Sequence, residues 1–549
     1  STVWSIDASD GLPFRRVRGY RGCGIRRMTV DPVGGVRTDD LPVIDTDVLV
    51  VGAGPTGLMA GVVLARRGVP AVVIDRKPGP TRESRALAVH ARTMEIYDQL
   101  GLAEKVSAGA CPALRLQIGG TDTGVGPEIA RLQDGATRFP GIQIFEQSRN
   151  EQLLADTLLA ADGDIRWRHR LIDIVDKTDQ PDGRVEALIE GIDGDGATLT
   201  RVRARWCIGA DGAASAVRRE LNLPFEGTTD AATFWVADVR DVDGVPEDAV
   251  NLRFGKATFA IAFPLGPHGH TRFVALAPRD EITQVEALAD ADAEFGLTHG
   301  AVDWFSTYRV HHRVASKFRV GSVFLAGDAG HVHSPVGGQG MNTGLQDAHN
   351  LAMLLADVAH GRVLADAVVR FERERRPVAL ILVNVTDRAF GVVGRRGPLA
   401  ALFRNRYSRV AAKAVPLLAK TRLGPRLVGY VGQYRIRYHY VEDTKRLPEW
   451  AKDPVVGVRL PPVGANQEAM NTMTWQLHTY GCGAALRPDV PDWVEGPHGF
   501  GADPNGRLRS DRIYLIRPDE FVAASIPLRD NKVDAAQLGS AMAAHRLVT

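Results

Sequence analysis

Four short runs of uninterrupted apolar residues organise this chain: Val48-Leu49-Val50-Val51, Ala71-Val72-Val73-Ile74, Trp206-Cys207-Ile208 and Val323-Phe324-Leu325-Ala326. Runs of this length, apolar without alternation, predict parallel strands buried on both faces. Helical spacing fills the ground between them. Leu58 to Arg67 reads as a helix stopped by Gly68, and a second runs from about His90 through Leu100 to a stop at Gly101. A third follows Gln147, with Leu153, Leu154, Thr157 and Leu158 on its apolar face. A fourth carries Met341, Leu345, Ala348, Ala352 and Leu355. Other stretches have the β-branched and aromatic content of sheet: 233–237, 258–263 and 272–276, with further strands near 165–175 and 184–190. The polar, Gly-rich stretch from about 103 to 145 is also expected to be sheet. Helical patterns continue to about 440. Pro454, Pro461 and Pro462 then predict a linker, followed by strands at 474–477 and 511–518 and a closing helix near Val533 to His545. Strand and helix alternating in this way predict an α/β fold of the Rossmann type, with a sheet inserted into it and a small α/β unit at the end.

Three of the four runs end in a glycine-and-aspartate corner. After Val51 comes Gly52-Ala53-Gly54-Pro55-Thr56-Gly57, a GxGxxG that opens a helix, and the second strand ends in Asp75-Arg76. The glycines allow a tight turn, close approach to a diphosphate and close helix–strand packing. The acid about 20 positions on suits a ribose hydroxyl. After Ile208 comes Gly209-Ala210-Asp211-Gly212, leading into a helix start at Val217. After Ala326 comes Gly327-Asp328, then a loop with Pro335, Gly337, Gly338 and Gly340 feeding the helix that begins near Met341 and Asn342. Such a loop leaves backbone N–H groups free and aims a helix dipole at whatever lies in front of it. His331 and His333 lack a third ligand, so no metal site is expected.

Bulk properties narrow the picture. With 549 residues the chain is too long for one core. Lys and Arg number 67 against 65 Asp and Glu, so the net charge of +2 gives no field that would draw in nucleic acid. Cys23, Cys111, Cys207 and Cys482 stand far apart without a CxxC, which fits a reducing, cytoplasmic location. No apolar run reaches the roughly 18 residues of a membrane span. Residues 1–43, with Arg15, Arg16, Arg18, Arg21, Arg26 and Arg27, are expected to form a flexible extension. Between Asp387 and Glu442 no acid occurs, and Arg404, Arg406, Arg409, Lys413, Lys420, Arg422 and Arg426 alternate with apolar residues. That run predicts a solvated or dimer-facing helix surface, which leaves a homodimer open.

In this order and spacing the three corners resemble those of the class A FAD-dependent aromatic monooxygenases, the group of p-hydroxybenzoate and phenol hydroxylases, over about 45–440. The end of the chain is similar to the thioredoxin-like domain of the longer members, which gives an expected division into 1–43, 44–445 and 446–549. Within the second unit a substrate-binding sheet is expected at about 103–145 and 222–310. The resemblance implies that Gly52, Gly54, Pro55, Thr56 and Gly57 hold the FAD diphosphate and that Asp75 and Arg76 meet the adenosine ribose. It assigns Arg85 and Gln147 to the phosphate and ribose region and Asp211 to a motif touching both FAD and NADPH. Gly327 and Asp328 fall to the ribityl chain, Pro335 to the flavin edge, and Gly340, Met341 and Asn342 to its pyrimidine end. The implied cycle is reduction of FAD by NADPH or NADH, reaction with O2 to a C4a-hydroperoxide, and oxygen transfer to a small-molecule aromatic substrate. Baeyer–Villiger or epoxidising chemistry on the same fold, or flavin binding without catalysis, are the alternatives. No Tyr, His or Asp in 225–310 is singled out as a catalytic base.

Overall fold

The structure is a computed structural model. It describes residues 40–82, 86–119, 126–193, 196–255, 258–333, 337–393, 424–443, 445–482, 486–530 and 532–549, with a few isolated positions in 1–39 and 394–423. The expectation of a flexible extension over 1–43 falls almost wholly outside these residues. So do Arg85, Pro335 and, Arg426 excepted, the basic run from 404 to 426.

The apolar runs form the centre of an eight-stranded sheet. Strand Val43–Val51 lies parallel to Ala71–Asp75 on one side and to Gly196–Gly209 on the other. Ala71–Asp75 continues to Asp164–Trp167, and the end of Gly196–Gly209 pairs in parallel with Val323–Leu325. Val48, Leu49 and Val50 are wholly inaccessible, as are Val323, Phe324 and Leu325, so both faces of these strands are covered. Helices Pro55–Arg66, Gln147–Ala160 and Gly340–Ala359 contribute Leu58, Val62, Leu154, Leu158, Leu345 and Leu351 to that covering.

The inserted sheet has seven strands, in the order His331–Val332, Val302–Ala315, Phe225–Val239, Thr271–Leu276, Phe259–Pro264, Ala249–Phe254 and Arg115–Ile118. Period-2 alternation divides its side chains. Phe234, Val236, Phe259, Ile261, Val274 and Leu276 face one cluster with Leu87, Ala88 and Ile144. Trp235, Ala237, Val239 and Phe273 face the other side, where helix Gln284–Phe295 covers them with Leu288 and Ala291. The sheet extends past the expected boundary at 310 because Val302–Ala315 is one continuous strand, and it takes His331–Val332 as its edge. The stretch 103–145 is less sheet-like than its composition predicts: it holds helices Ala103–Gly109 and Ile129–Leu132 between strands of three or four residues. There, local helical packing of Ala103 and Val106 against the core overrides weak propensity.

The end of the chain forms a five-stranded sheet, Glu495–Phe500, Gln476–Tyr480, Arg512–Ile516, Val522–Arg529 and Lys532–Val533, with helix Ala535–Ala544. The prolines expected to mark a linker do not. Trp450, Val455, Val456 and Leu460 are buried, and the cluster that holds them runs without a break from Val48 to Leu547. Apolar residues between the prolines anchor the segment that proline alone would have left free. Among the described residues no helix is long and apolar enough to cross a membrane.

Candidate functional site

The corners meet because their strands are neighbours. Gly209 sits level with Val51 on one side and with Leu325 on the other. Ala210 N–H donates to Val51 O (2.7 Å), and Ala326 N–H donates to Gly209 O (3.0 Å). Gly52, Asp211 and Asp328 therefore leave adjacent strands at the carboxyl edge of one parallel sheet, the edge at which open α/β sheets bind ligands.

Each glycine of the first corner answers a different demand. Gly52 has φ +107°, and a Cβ there would lie 2.3 Å from Ala210 O. A Cβ on Gly57 would lie 1.8 Å from Gly52 O. Gly54 is different: its φ of −81° and ψ of −176° suit any residue, and a Cβ would meet no atom within 4 Å. Nothing in the described chain requires glycine there. Gly54 precedes helix Pro55–Arg66, which has no side-chain cap and no acid in its first turn. Its first N–H groups thus have no side-chain partner, with the positive end of the helix behind them. Helix Gly340–Ala359 begins in the same way, uncapped behind Gln339. Helices Gln284–Phe295 and Ala535–Ala544 are capped by Thr283 and Asp534, whereas helices Ala91–Gln99 and Gln147–Ala160 also lack a side-chain cap.

Asp328 has no hydrogen-bond partner among the described residues and is exposed to solvent. Desolvation by the neighbouring chain raises its pKa above the ordinary carboxylate value against the pull of His331. Asp75 caps the first corner instead, with Oδ2 accepting Ala53 N–H (2.7 Å) and Oδ1 accepting Lys77 N–H (2.8 Å). Arg76 is exposed beside it. Gln147 donates from Nε2 to Glu151 (2.9 Å), and its own N–H donates to Ala86 O (2.9 Å). Two uncapped helix starts, open space at Gly54 and a free, exposed carboxylate at Asp328 fit the FAD that the resemblance implies.

Asp211 is organised differently from its sequence reading. Its Oδ1 accepts Ser215 Oγ–H (2.5 Å), and Oδ2 accepts the N–H groups of Ala216 (2.6 Å) and Val217 (3.1 Å). Both oxygens are spent on the start of helix Ala216–Glu220, where Ser215 also accepts Arg218 N–H. Ser215→Ala is expected to cost roughly 1–2 kcal/mol of stability, read as a lower urea midpoint; an unchanged midpoint would show that this cap is not holding the corner.

Asn342 is likewise occupied. Its Oδ1 accepts His90 N–H (2.9 Å) and Thr93 Oγ–H (2.7 Å), and its Nδ2 donates to Ala88 O (2.7 Å) and Gly338 O (2.8 Å). The side chain ties the loop to the segment around the start of helix Ala91–Gln99, and Asn342 is wholly buried. Met341 is half-buried, with Sδ near Asn150 Nδ2 (3.5 Å).

Gly344, Asp347 and Arg375 escaped the sequence reading. Gly344 and Gly327 both abut Thr56: a Cβ on either would lie 2.4 and 2.5 Å from Thr56 Oγ1, so the two uncapped helices cross in contact. The GMNTG spacing, Gly340 to Gly344, is the signal that could have shown it. His331 is a buried donor to Asp347 Oδ2 (2.8 Å), and the same carboxylate accepts Gly327 N–H (3.1 Å) and Arg375 Nε–H (2.6 Å). Burial alone would push the Asp347 carboxyl up, but Arg375 and His331 hold it below the usual range. No metal-binding cluster occurs among the described residues.

Residues 45–386 match the FAD binding domain family. The chain is 32% identical over 523 residues to 6-methylpretetramide 4-monooxygenase of Streptomyces rimosus, covering 87% of this chain and 90% of that protein. It is 30% identical over 512 residues to 12-dehydrotetracycline 5-monooxygenase/anhydrotetracycline 6-monooxygenase of Streptomyces rimosus subsp. rimosus, covering 87% and 94%. Among solved structures, the anhydrotetracycline hydroxylase of Streptomyces rimosus superposes with a TM-score of 0.71 at 27% identity, covering 91% of this chain and 99% of that one.

Proposed function

The chain belongs to the FAD binding domain family and is a flavin-dependent aromatic monooxygenase, and from that premise we propose that it hydroxylates a polycyclic phenol with NADPH or NADH as reductant and O2 as oxygen source. The observation that carries the reading is the convergence of three corners from adjacent strands on one sheet edge. Bound FAD supplies the redox chemistry; the protein's part is to hold it, orient the substrate and keep water out.

In this reading Gly52, Gly54, Pro55, Thr56 and Gly57 present helix N–H groups to the diphosphate. Asp75 and Arg76 flank the adenosine ribose, and Gln147 lies near the same region. Asp328 accepts from the ribityl hydroxyls, and the backbone of Gly340, Met341 and Asn342 faces the flavin pyrimidine edge. There, N–H groups at the start of helix Gly340–Ala359 would favour negative charge on a bound ring. Asp211 contributes by shaping its corner rather than by contact. The substrate wall is the sheet face carrying an aromatic ladder: Phe234 stacks on Tyr308 with centroids 5.8 Å apart and meets Phe259 edge-on at 6.0 Å. Phe234 and Phe259 are buried in this cluster and Tyr308 is half-buried at its margin, so the wall is apolar and aromatic. The similar monooxygenases of Streptomyces rimosus named for tetracycline-type substrates support the polycyclic size class. The test is NADPH consumption by the FAD-loaded enzyme against a panel of single-ring and polycyclic phenols, with product mass. Consumption stimulated by polycyclic phenols with one oxygen added is expected. Stimulation confined to single-ring phenols would reject the substrate class, and FAD-loaded enzyme that no phenol stimulates would reject hydroxylation.

A further inference from the structure

The C-terminal sheet reaches the flavin loop through one helix. Its hairpin between strands Arg512–Ile516 and Val522–Arg529 inserts the turn 517–520 behind helices Ala91–Gln99, Gly340–Ala359 and Arg370–Val393. Arg517 donates to Glu374 (2.6 Å) and Asp519 (2.6 Å), and Asn350 donates to Asp519 Oδ2 (3.1 Å). Helix Ala91–Gln99 is gripped at both ends. Gln99 Nε2 donates to Pro518 O (2.8 Å) at one, while at the other Arg92 donates to Asp519 O (2.8 Å) and pairs with Glu520. Arg92, Glu95 and Glu520 are all at most 2% exposed, so this is a dry junction in which each charge depends on its partners.

The same helix start holds the flavin loop. On either side of Arg92, the His90 N–H and Thr93 hydroxyl donate to Asn342 Oδ1, and His90 Nε2–H donates to Gly337 O (2.8 Å). From the C-terminal turn to the loop the contacts therefore pass through one helix start: Glu520 to Arg92, and His90 and Thr93 beside it to Asn342 and Gly337. Independent support comes from the backbone. Glu520 has φ +63°, a left-handed conformation that glycine adopts freely and glutamate does not. The strained position carries the side chain that pairs with Arg92, and glycine there would relieve the strain while removing the pair.

We propose that the C-terminal unit is a working part of the flavin site, with Glu520 a positioning residue that fixes the loop 337–342 through Arg92 and the start of helix Ala91–Gln99. The inference rests on the reading of that loop as the flavin-facing one.

Glu520→Gly separates the roles, because it keeps the turn conformation and deletes only the link to Arg92. FAD is titrated into full-length apoprotein, reading the dissociation constant, the absorption spectrum of the bound flavin and the apoprotein melting temperature. Glu520→Gly is expected to weaken FAD binding about tenfold and to shift the bound-flavin spectrum. Glu520→Gln, which keeps a hydrogen bond to Arg92 but loses the charge, is expected to fall between, at about threefold. In an Asn342→Ala background Glu520→Gly should add little, since the chain of contacts is already cut. FAD affinity and spectrum unchanged in Glu520→Gly would overturn the proposal, as would effects of the two substitutions that simply multiply. Should Glu520→Gly not fold, Glu520→Gln decides alone, and wild-type affinity there rejects the proposal. Wild-type apoprotein that binds no FAD would instead remove the reading of the site on which this one stands.

Discussion

Gly54→Val is expected to leave the apoprotein folded and to weaken FAD binding by roughly a hundredfold or more. The two halves of that outcome come from different observations. Backbone angles at Gly54 are those of ordinary extended chain, and the added side chain meets open space, so the fold loses at most about 1 kcal/mol from a poorer residue at the helix start. The same space lies directly before the uncapped N–H groups of helix Pro55–Arg66, where a diphosphate must approach the backbone closely. A branched side chain there holds the phosphate away from donors it needs at hydrogen-bond distance. Gly57→Ala is the contrasting case: its Cβ would overlap the Gly52 carbonyl, so that variant fails in folding rather than in binding. Apoprotein melting temperature and FAD titration separate the two. Gly54→Val apoprotein with wild-type FAD affinity would remove the diphosphate from this corner.

What the sequence disclosed was local. Val48 to Val51 and Val323 to Ala326 read as buried strands because a strand covered on both faces has no polar positions to break the run. The three corners were legible for a related reason. Gly52 and Gly57 are demanded by atoms a few residues or one strand away, and such demands leave glycine at fixed spacing. Asp328 stands out in the sequence by its place at a strand end. By contrast, the segment 448–463 was misread because proline spacing is visible in a sequence while the pocket that receives Trp450 and Leu460 is not.

Charge pairing was the least legible feature. Arg92 meets Glu520 across 428 positions and Arg67 meets Asp357 across 290, and nothing near either residue in the chain marks the partner. Asp211 shows the same limit in the opposite direction. Its spacing from Gly209 and Gly212 pointed to a ligand, yet its oxygens are taken by donors four to six residues on. A capping aspartate and a ligand-binding aspartate look alike until the following helix start is in view. His331 and His333, unassigned by spacing, divide once Asp347 is seen: His331 secures the Gly327 turn by sharing that carboxylate with the turn's own N–H.

Asp328→Ala is expected to weaken FAD binding while leaving the apoprotein at least as stable as wild type. Loss of hydrogen bonds from hydroxyls to a carboxylate costs about 1.5–3 kcal/mol, or roughly 10- to 100-fold in the dissociation constant. Stability moves the other way because of the sign of the titration. The folded-state pKa of Asp328 lies above the ordinary value, so the folded chain holds that proton more tightly than the unfolded one does. Ionisation above that pKa therefore works against the apoprotein fold, and removing the carboxyl removes the penalty. Hydroxyl donors favour the charged form, so wild-type FAD affinity should be full above the raised pKa and fall as pH drops through it. Asp328→Asn should lack that acid limb. His331→Ala supplies the comparison: it deletes a donor to the buried Asp347 and should lower the melting temperature. If Asp328→Ala lowered stability as His331→Ala does, or bound FAD with the wild-type pH profile, the carboxylate would be a structural brace and not the cofactor's partner.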